Sequence, residues 1–123
     1  AVVTKEFLAA NPDAVTAWVQ EQNRAVELIK KDPAQAATSI AAELGITPEQ
    51  AQSQLKGLVF LNAKEQQGTD YLGTPDAPGK FAEGLLKAAE FLKSQQKIEA
   101  VPSLETLQAG IHAQSLADAV SGQ

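Results

Sequence analysis

The residue types that most often carry chemistry are scarce in this chain. It has one histidine, His112, and no cysteine among its 123 residues. A metal site or a nucleophile with its base needs several such residues together, so we interpret His112 as a surface or packing residue. The lack of cysteine also excludes disulfides and thiolate ligands. We therefore predict no catalytic residue, no metal site and no cofactor, and we expect that the chain is not an enzyme.

The acidic residues and the arginine are scattered. Glu21 and Glu27 lie on one predicted helix, but their spacing is neither i,i+3 nor i,i+4. Asp70 stands beside Tyr71 in a polar segment, where a lone carboxylate could bind an ammonium group but is more often simply solvated. Arg24 is the only arginine and falls in mid-helix, so we assign it no anion-binding role. The ligand-binding residues thus stay unknown at this point.

Glycines and aromatic residues give no ligand site either. Gly68, Gly73 and Gly79 are not followed by the Lys-Ser or Lys-Thr pair of a phosphate-binding loop, so we predict that they form turns. Trp18 shares the spacing of the apolar residues of its helix, which favours a core anchor over a ligand-stacking role. The net charge is −5 without a basic cluster, so we expect no nucleic-acid partner.

The elements that would position such residues are helices with clear start signals. Asn11-Pro12 and Asp32-Pro33 each place a capping side chain before a proline at the first helical position. Thr47 to Gln50 has the pattern of a capping box. Apolar periodicity then predicts helices over about 4–10, 12–31, 33–44 with Gly45 as its C′ residue, from 48 onward, and over about 78–96.

The fold class follows from these helices. The helix over about 78–96 carries an apolar stripe formed by Phe81, Leu85, Ala88, Ala89 and Leu92. Ser103 caps a last helical region, whereas the strand signals at 1–3 and 59–61 have no hairpin partner. We predict a nearly all-α domain of about five to seven helices over residues 1–114, followed by a flexible tail over 115–123.

The segment over residues 57–75, GLVFLNAKEQQGTDYLGTP, looks at first like a linker. Linkers lack paired apolar anchors, yet this segment has Phe60 and Leu61 at one end and Tyr71 and Leu72 at the other. We therefore interpret it as an ordered crossing between two helical layers, with Asn62 capping a short helical turn.

Several motifs resemble, in their order, the periplasmic solute-binding proteins of the nitrate, sulfonate and taurine group. Residues 3–15 contain K-E-F and P-D-A-V, similar to the group's K-x-F-x-x-x-x-P-x-x-V pattern. D-P-A-Q-A-A over 32–37 with L-G-I at 44–46 is similar to a second stretch of the group. F-L-N-A-K-E-Q over 60–66, Y-L-G at 71–73, F-L-K at 91–93 and Q-K-I at 96–98 are most like the taurine-binding subgroup.

This resemblance implies the C-terminal part of a two-lobed α/β protein, of the type II periplasmic-binding-protein-like fold, that closes on its ligand by a hinge. The implied ligand is taurine or a related small sulfonate, the implied partners are the membrane subunits of an ABC importer, and the implied location is periplasmic. In that group the sheet and most of the ligand cleft lie upstream, so no ligand residue transfers to these positions. The chain contains no methionine, which leads us to expect a processed protein or part of a longer one.

Two alternatives stay open. The chain could be a stand-alone helical interaction or dimerisation module, or part of an enzyme of the same superfamily, such as a thiamine-precursor synthase, for which no residue speaks. If a sheet that the helices would cover is missing, their apolar stripes need another cover. We therefore expect a homodimer through exposed helix faces.

Overall fold

The computed structural model describes residues 1–122, and these residues are mostly helical without any strand. The helices in chain order are α1 Lys5–Ala10, α2 Pro12–Lys31, α3 Pro33–Leu44, α4 Pro48–Leu55, α5 Ala63–Gln66, α6 Phe81–Ser94, α7 Leu104–Ala109 and α8 Gln114–Ser121. All but the four-residue α5 are longer than one turn. The prediction of a nearly all-helical chain is confirmed.

Most of the predicted start and stop signals act as expected. The Asp32 carboxylate accepts a hydrogen bond from the Gln35 N–H at 2.9 Å, and Thr47 with Gln50 forms a complete capping box. Gly45 ends α3 in the left-handed region, at φ 66°. Asn11 is the exception, because its side chain makes no bond to the start of α2.

Helix α6 begins at Phe81, three residues later than the sequence suggested. The backbone of the preceding residues is committed to the crossing segment. The Gly79 N–H donates to the Leu72 carbonyl at 3.1 Å, and the Lys80 N–H donates to the Thr69 carbonyl at 2.8 Å. Because these two N–H groups are bonded to the crossing segment, the helical hydrogen-bond pattern starts only after Lys80.

Helix α2 is the centre of the packing. It contacts α1, α3, α5 and α8, while α4 packs on α3 and α8 also contacts α5. Helices α6 and α7 pack on each other and on no other helix of the described chain. The fold therefore consists of a body around α2 and a two-helix arm, α6 with α7.

The core of this body is built from small side chains. Ala37, Ala41 and Ala51 form a buried cluster between α3 and α4. Leu116 is the one large residue among the buried hydrophobic residues of the described chain, all the others being alanines. Trp18, predicted as a core anchor, is 48% exposed. The prediction for Trp18 is therefore wrong. The buried residue of α2 is Asn23, and neighbouring helices cover the apolar residues of α2 only in part.

The last residues differ from the expected tail. Residues 114–121 form α8, in which Ser115, Leu116 and Ala119 are buried. Contacts with α2 and α5 provide the cover for this short helix. Residue 123 lies outside the described residues. No helix within residues 1–122 is both long and apolar enough to cross a membrane.

Candidate functional site

A ladder of polar contacts joins α2 to α5 and forms the densest polar cluster between separate elements. Asn23, Glu27 and Lys30 lie on α2 at i, i+4 and i+7, so they share one face. The Asn23 side-chain oxygen accepts from the buried Ala63 N–H at 2.7 Å. The Glu27 carboxylate accepts from the Asn62 side-chain amide at 2.8 Å.

Lys30 completes the ladder with Glu65. Its ammonium forms an ion pair with the Glu65 carboxylate, which also accepts from the Asn62 N–H at 2.8 Å as part of the α5 capping box. The hydrogen bond from Lys30, followed by that from the Asn62 backbone, lowers the pKa of Glu65. Glu65 therefore stays ionised to a lower pH than an isolated glutamate, so its ion pair with Lys30 persists to that lower pH. The donors and acceptors of the ladder are paired with one another. We therefore interpret the ladder as a structural contact that holds α5 on α2.

The crossing segment is folded back on itself. The Leu72 N–H donates to the Gln66 carbonyl at 3.0 Å, and the Phe81 N–H donates to the Tyr71 carbonyl at 3.0 Å. Gly73 and Pro78 form an isolated antiparallel bridge. These bonds support the interpretation of residues 57–75 as an ordered crossing and not a linker.

Two glycines allow this close approach. Gly73 has φ 79°, and a Cβ on it would lie 2.2 Å from the Gly79 nitrogen and 2.3 Å from the Ala77 carbonyl oxygen. A Cβ on Gly79 would lie 2.1 Å from the Tyr71 carbonyl oxygen. Both positions exclude any larger residue, because backbone atoms occupy the space. The glycines serve the turn, as predicted.

Asp70 has a partner that sequence reasoning missed. Its carboxylate accepts from the Lys80 ammonium at 2.7 Å across the base of the crossing. This hydrogen bond, followed by the charge of Lys80, lowers the pKa of Asp70. The same hydrogen bond, followed by the charge of Asp70, raises the pKa of Lys80. Both side chains are largely exposed. The Asp70 carboxylate thus binds a lysine of the same chain. This contact indicates that Asp70 stabilises the turn and does not bind a ligand.

The other candidate residues also have local roles. Arg24 pairs with Glu21 one turn earlier, with a contact of 3.1 Å from its Nε to a carboxylate oxygen, and this contact lowers the pKa of Glu21. The His112 Nδ1 lies 2.9 Å from the hydroxyl of Ser115, which is buried in α8. No group of three or more metal-ligating side chains occurs within the described part of the chain.

An apolar groove lies on the surface of the helical body. It lies where α2, α3, α4 and the crossing meet, has a volume of about 280 Å³, and is lined mainly by apolar atoms of Ile29, Pro33, Gln52, Leu55, Lys56 and Phe60. A second hollow, of about 510 Å³, lies at the C-terminal end of α6 beside residues 93–99. Both are open to solvent. The groove is lined almost entirely by apolar atoms, whereas four of the five residues beside the second hollow, Lys93, Gln96, Lys97 and Glu99, have polar or charged side chains.

The largest unexplained feature is the apolar outer face of α6. Of the five residues predicted to form the apolar stripe of α6, Ala89 is buried, whereas the other four, Phe81, Leu85, Ala88 and Leu92, are exposed. Phe91 lies beside them and is 63% exposed. The rest of the described chain covers these four residues only in part, so they do not form the inner face that the sequence indicated. This exposed apolar face is the candidate functional site of the chain.

Comparisons of the chain with protein-family models, with curated proteins and with solved structures found no match.

Proposed function

We propose that this chain is the helical C-terminal portion of a solute-binding protein that captures taurine or a related small sulfonate and delivers it to an ABC importer. Two observations support the proposal. One is the order of the motifs over residues 3–98 that resemble the taurine-binding subgroup. The other is the exposed apolar face of α6. This second observation supports the proposal that a further layer of the protein packs on the chain.

An exposed apolar helix face of this kind is normally covered by another layer of secondary structure. Domains bury the apolar side of each helix against another layer of secondary structure. Among the helices within residues 1–122, α6 contacts only α7. Its outer side bears large apolar residues, while the buried core of the described chain is mostly alanine. In the proposed protein, the sheet-rich remainder of the first lobe supplies the missing layer. The 123-residue chain then contributes scaffold to that lobe.

The ligand would bind elsewhere in the proposed protein. A sulfonate is held by backbone N–H groups, helix N-termini and arginine side chains that converge on one point. Arg24 is the sole arginine and is engaged by Glu21 on the surface of α2. The proposed role of this portion is therefore to complete the first lobe. Within it, the ladder between α2 and α5 holds the crossing segment in place.

Calorimetric titration of the complete gene product tests the proposal. We expect taurine or an aliphatic sulfonate to bind the complete product, with nitrate as the competing anion, and neither to release heat with the 123-residue chain. A complete product that binds none of these anions contradicts the function. Micromolar binding by the 123-residue chain contradicts the placement of the cleft outside it.

A stand-alone helical interaction module is the second candidate. The α6–α7 arm favours it, because the arm contacts no helix of the body and exposes an apolar face. The coding sequence distinguishes the two candidates. The solute-binding function requires about 200 further residues upstream, enough for a sheet and a second lobe, together with a secretion signal. A start codon directly before Ala1 would favour the module.

A further inference from the structure

Helix α6 has apolar residues on two sides, and only one of these sides is covered. Ala82 and Ala89, at i and i+7, are its buried residues, and α7 is the only helix that α6 contacts. The outer side carries Phe81, 46% exposed, Leu85, 37%, Phe91, 63%, and Leu92, 41%. A helix with such a wide apolar surface is normally covered on more than one side.

The charged residues of α6 leave the outer face free. Glu83, Lys87 and Glu90 follow one another at i, i+4 and i+7 on the remaining side of the helix, and Lys93 lies one turn after Ala89 on the covered side. The stripe from Phe81 to Leu92 therefore has no charge at its centre that a second apolar surface would have to desolvate. Lys87 lies one helical turn before Phe91, at the edge of the face. Leu85 and Ala88 lie at its middle, with Phe81 at one end and Leu92 at the other.

We propose that a second copy of this chain covers this outer face, with the two α6 helices antiparallel about a twofold axis between residues 86 and 87. The spacing of the stripe, four then three then four residues, reads the same in both directions. An antiparallel pair thus places Phe81 against Leu92 of the other copy and Leu85 against Ala88. Each large side chain at the centre meets a small one, as an isologous contact requires.

Gly84 fits the same arrangement. It lies inside α6 and beside the stripe, where glycine weakens a helix relative to alanine. A Cβ at this position would meet nothing within 4 Å in the chain, so no internal contact requires a glycine there. Small residues on an exposed apolar helix face allow a second helix to approach closely.

The available area suits a weak dimer. With about 200 Å² for a fully exposed phenylalanine and somewhat less for leucine, the four exposed side chains leave about 350 Å² open on each copy. Two copies would bury about twice that apolar area, which corresponds to about 1,100 Å² of total interface when some 60% of it is apolar. Such a contact clears the ~1,000 Å² of a specific interface and stays below the ~1,600 Å² of a standard one. The self-association concerns the 123-residue chain by itself, because the remainder of the first lobe would cover the same face in the proposed complete protein.

Sedimentation velocity tests the dimer over protein concentrations from about 5 to about 500 µM. We expect a monomer at the low end, a dimer at the high end, and a monomer throughout for Phe91→Glu. Leu58→Glu is the matched control, since Leu58 is 59% exposed in the crossing, and it should still dimerise. A wild-type chain that stays monomeric at the highest concentration overturns the proposal, as does equal behaviour of the two variants.

Cross-linking tests the geometry without a disruptive substitution. The chain has no cysteine, so a single introduced cysteine reports on one position. Ala88→Cys lies next to the proposed axis and should form a disulfide-linked dimer under mild oxidation, whereas Glu83→Cys on the charged side should not. Equal cross-linking at both positions, or cross-linking at Glu83→Cys alone, overturns the antiparallel α6 pair even where the sedimentation data show a dimer.

Discussion

Replacing Asn23 by alanine tests the ladder between α2 and α5. The Asn23 side chain is buried, and its oxygen is the acceptor for the Ala63 N–H, itself buried, at 2.7 Å. The alanine variant leaves that N–H without its partner, in a place where water has little access. A buried donor left unsatisfied costs about 1–3 kcal/mol.

Helix propensity offsets part of this cost. Alanine is about 0.5 kcal/mol more favourable than asparagine inside a helix, so we expect a net loss of about 1–2 kcal/mol in the free energy of unfolding. With a urea m-value of about 1–3 kcal/mol/M, the unfolding midpoint should fall by roughly 0.3–2 M. Circular dichroism at the helical minimum follows this transition.

Gln22→Ala is the matched control for this variant. Gln22 is the exposed neighbour of Asn23 on α2, so its loss should change the free energy of unfolding by less than about 0.5 kcal/mol. Amide hydrogen exchange adds a local measurement, because the Ala63 amide should exchange faster in Asn23→Ala than in Gln22→Ala. If both variants unfold at the same urea concentration and protect Ala63 equally, the ladder does not hold α5 on α2.

Three further predictions concern the crossing, α8 and the acid limb of stability. Gly73→Ala should lose about 2 kcal/mol or more, because the new Cβ meets backbone atoms at a positive φ, whereas Gly57→Ala, with open space around it, should be close to neutral in the same urea titration. Leu116→Ala should cost about 2–3 kcal/mol and expose α8 to proteolysis, and a protease-resistant variant of wild-type stability would show that α8 contributes no packing. Because Lys80 lowers the pKa of Asp70, the pair contributes stability that is present above the ordinary aspartate pKa of about 3.9 and is lost as the pH falls through the lowered value. Asp70→Asn should therefore lower the melting temperature at pH 7 and lose this effect near pH 2, and a difference that is the same at both pH values would contradict the ion pair.

The helix boundaries were predictable because their signals are local. The caps at Asp32, Thr47, Asn62 and Ser103 each involve residues three positions apart, so a short window of sequence contains both partners. Helix α8 was missed because it is short and rich in alanine, and such a helix is marginal in isolation. Its stability comes from α2 and α5, which lie far away in sequence.

The ladder could not be predicted from sequence for a similar reason. Its signal on α2 is the 4-then-3 spacing of Asn23, Glu27 and Lys30, which resembles an ordinary solvated helix face. Their partners lie 35–40 residues further along the chain, and no local pattern identifies them. Asp70 and Lys80 were missed in the same way, since only the folded crossing brings positions ten residues apart into contact.

Both proposals place a partner on the same face of α6, so they exclude each other within one molecule. If the remainder of a first lobe covers Phe81, Leu85 and Leu92 in the complete gene product, no second copy can reach them. The complete product should then sediment as a monomer at concentrations at which the 123-residue chain forms dimers, and Phe91→Glu should destabilise the complete product instead of dissociating it. A complete product that dimerises and loses its dimer through Phe91→Glu would show that α6 is free in it. That result would favour the interaction module. The exposed phenylalanines of α6 would then be explained by self-association and no longer by the absence of the rest of a solute-binding lobe.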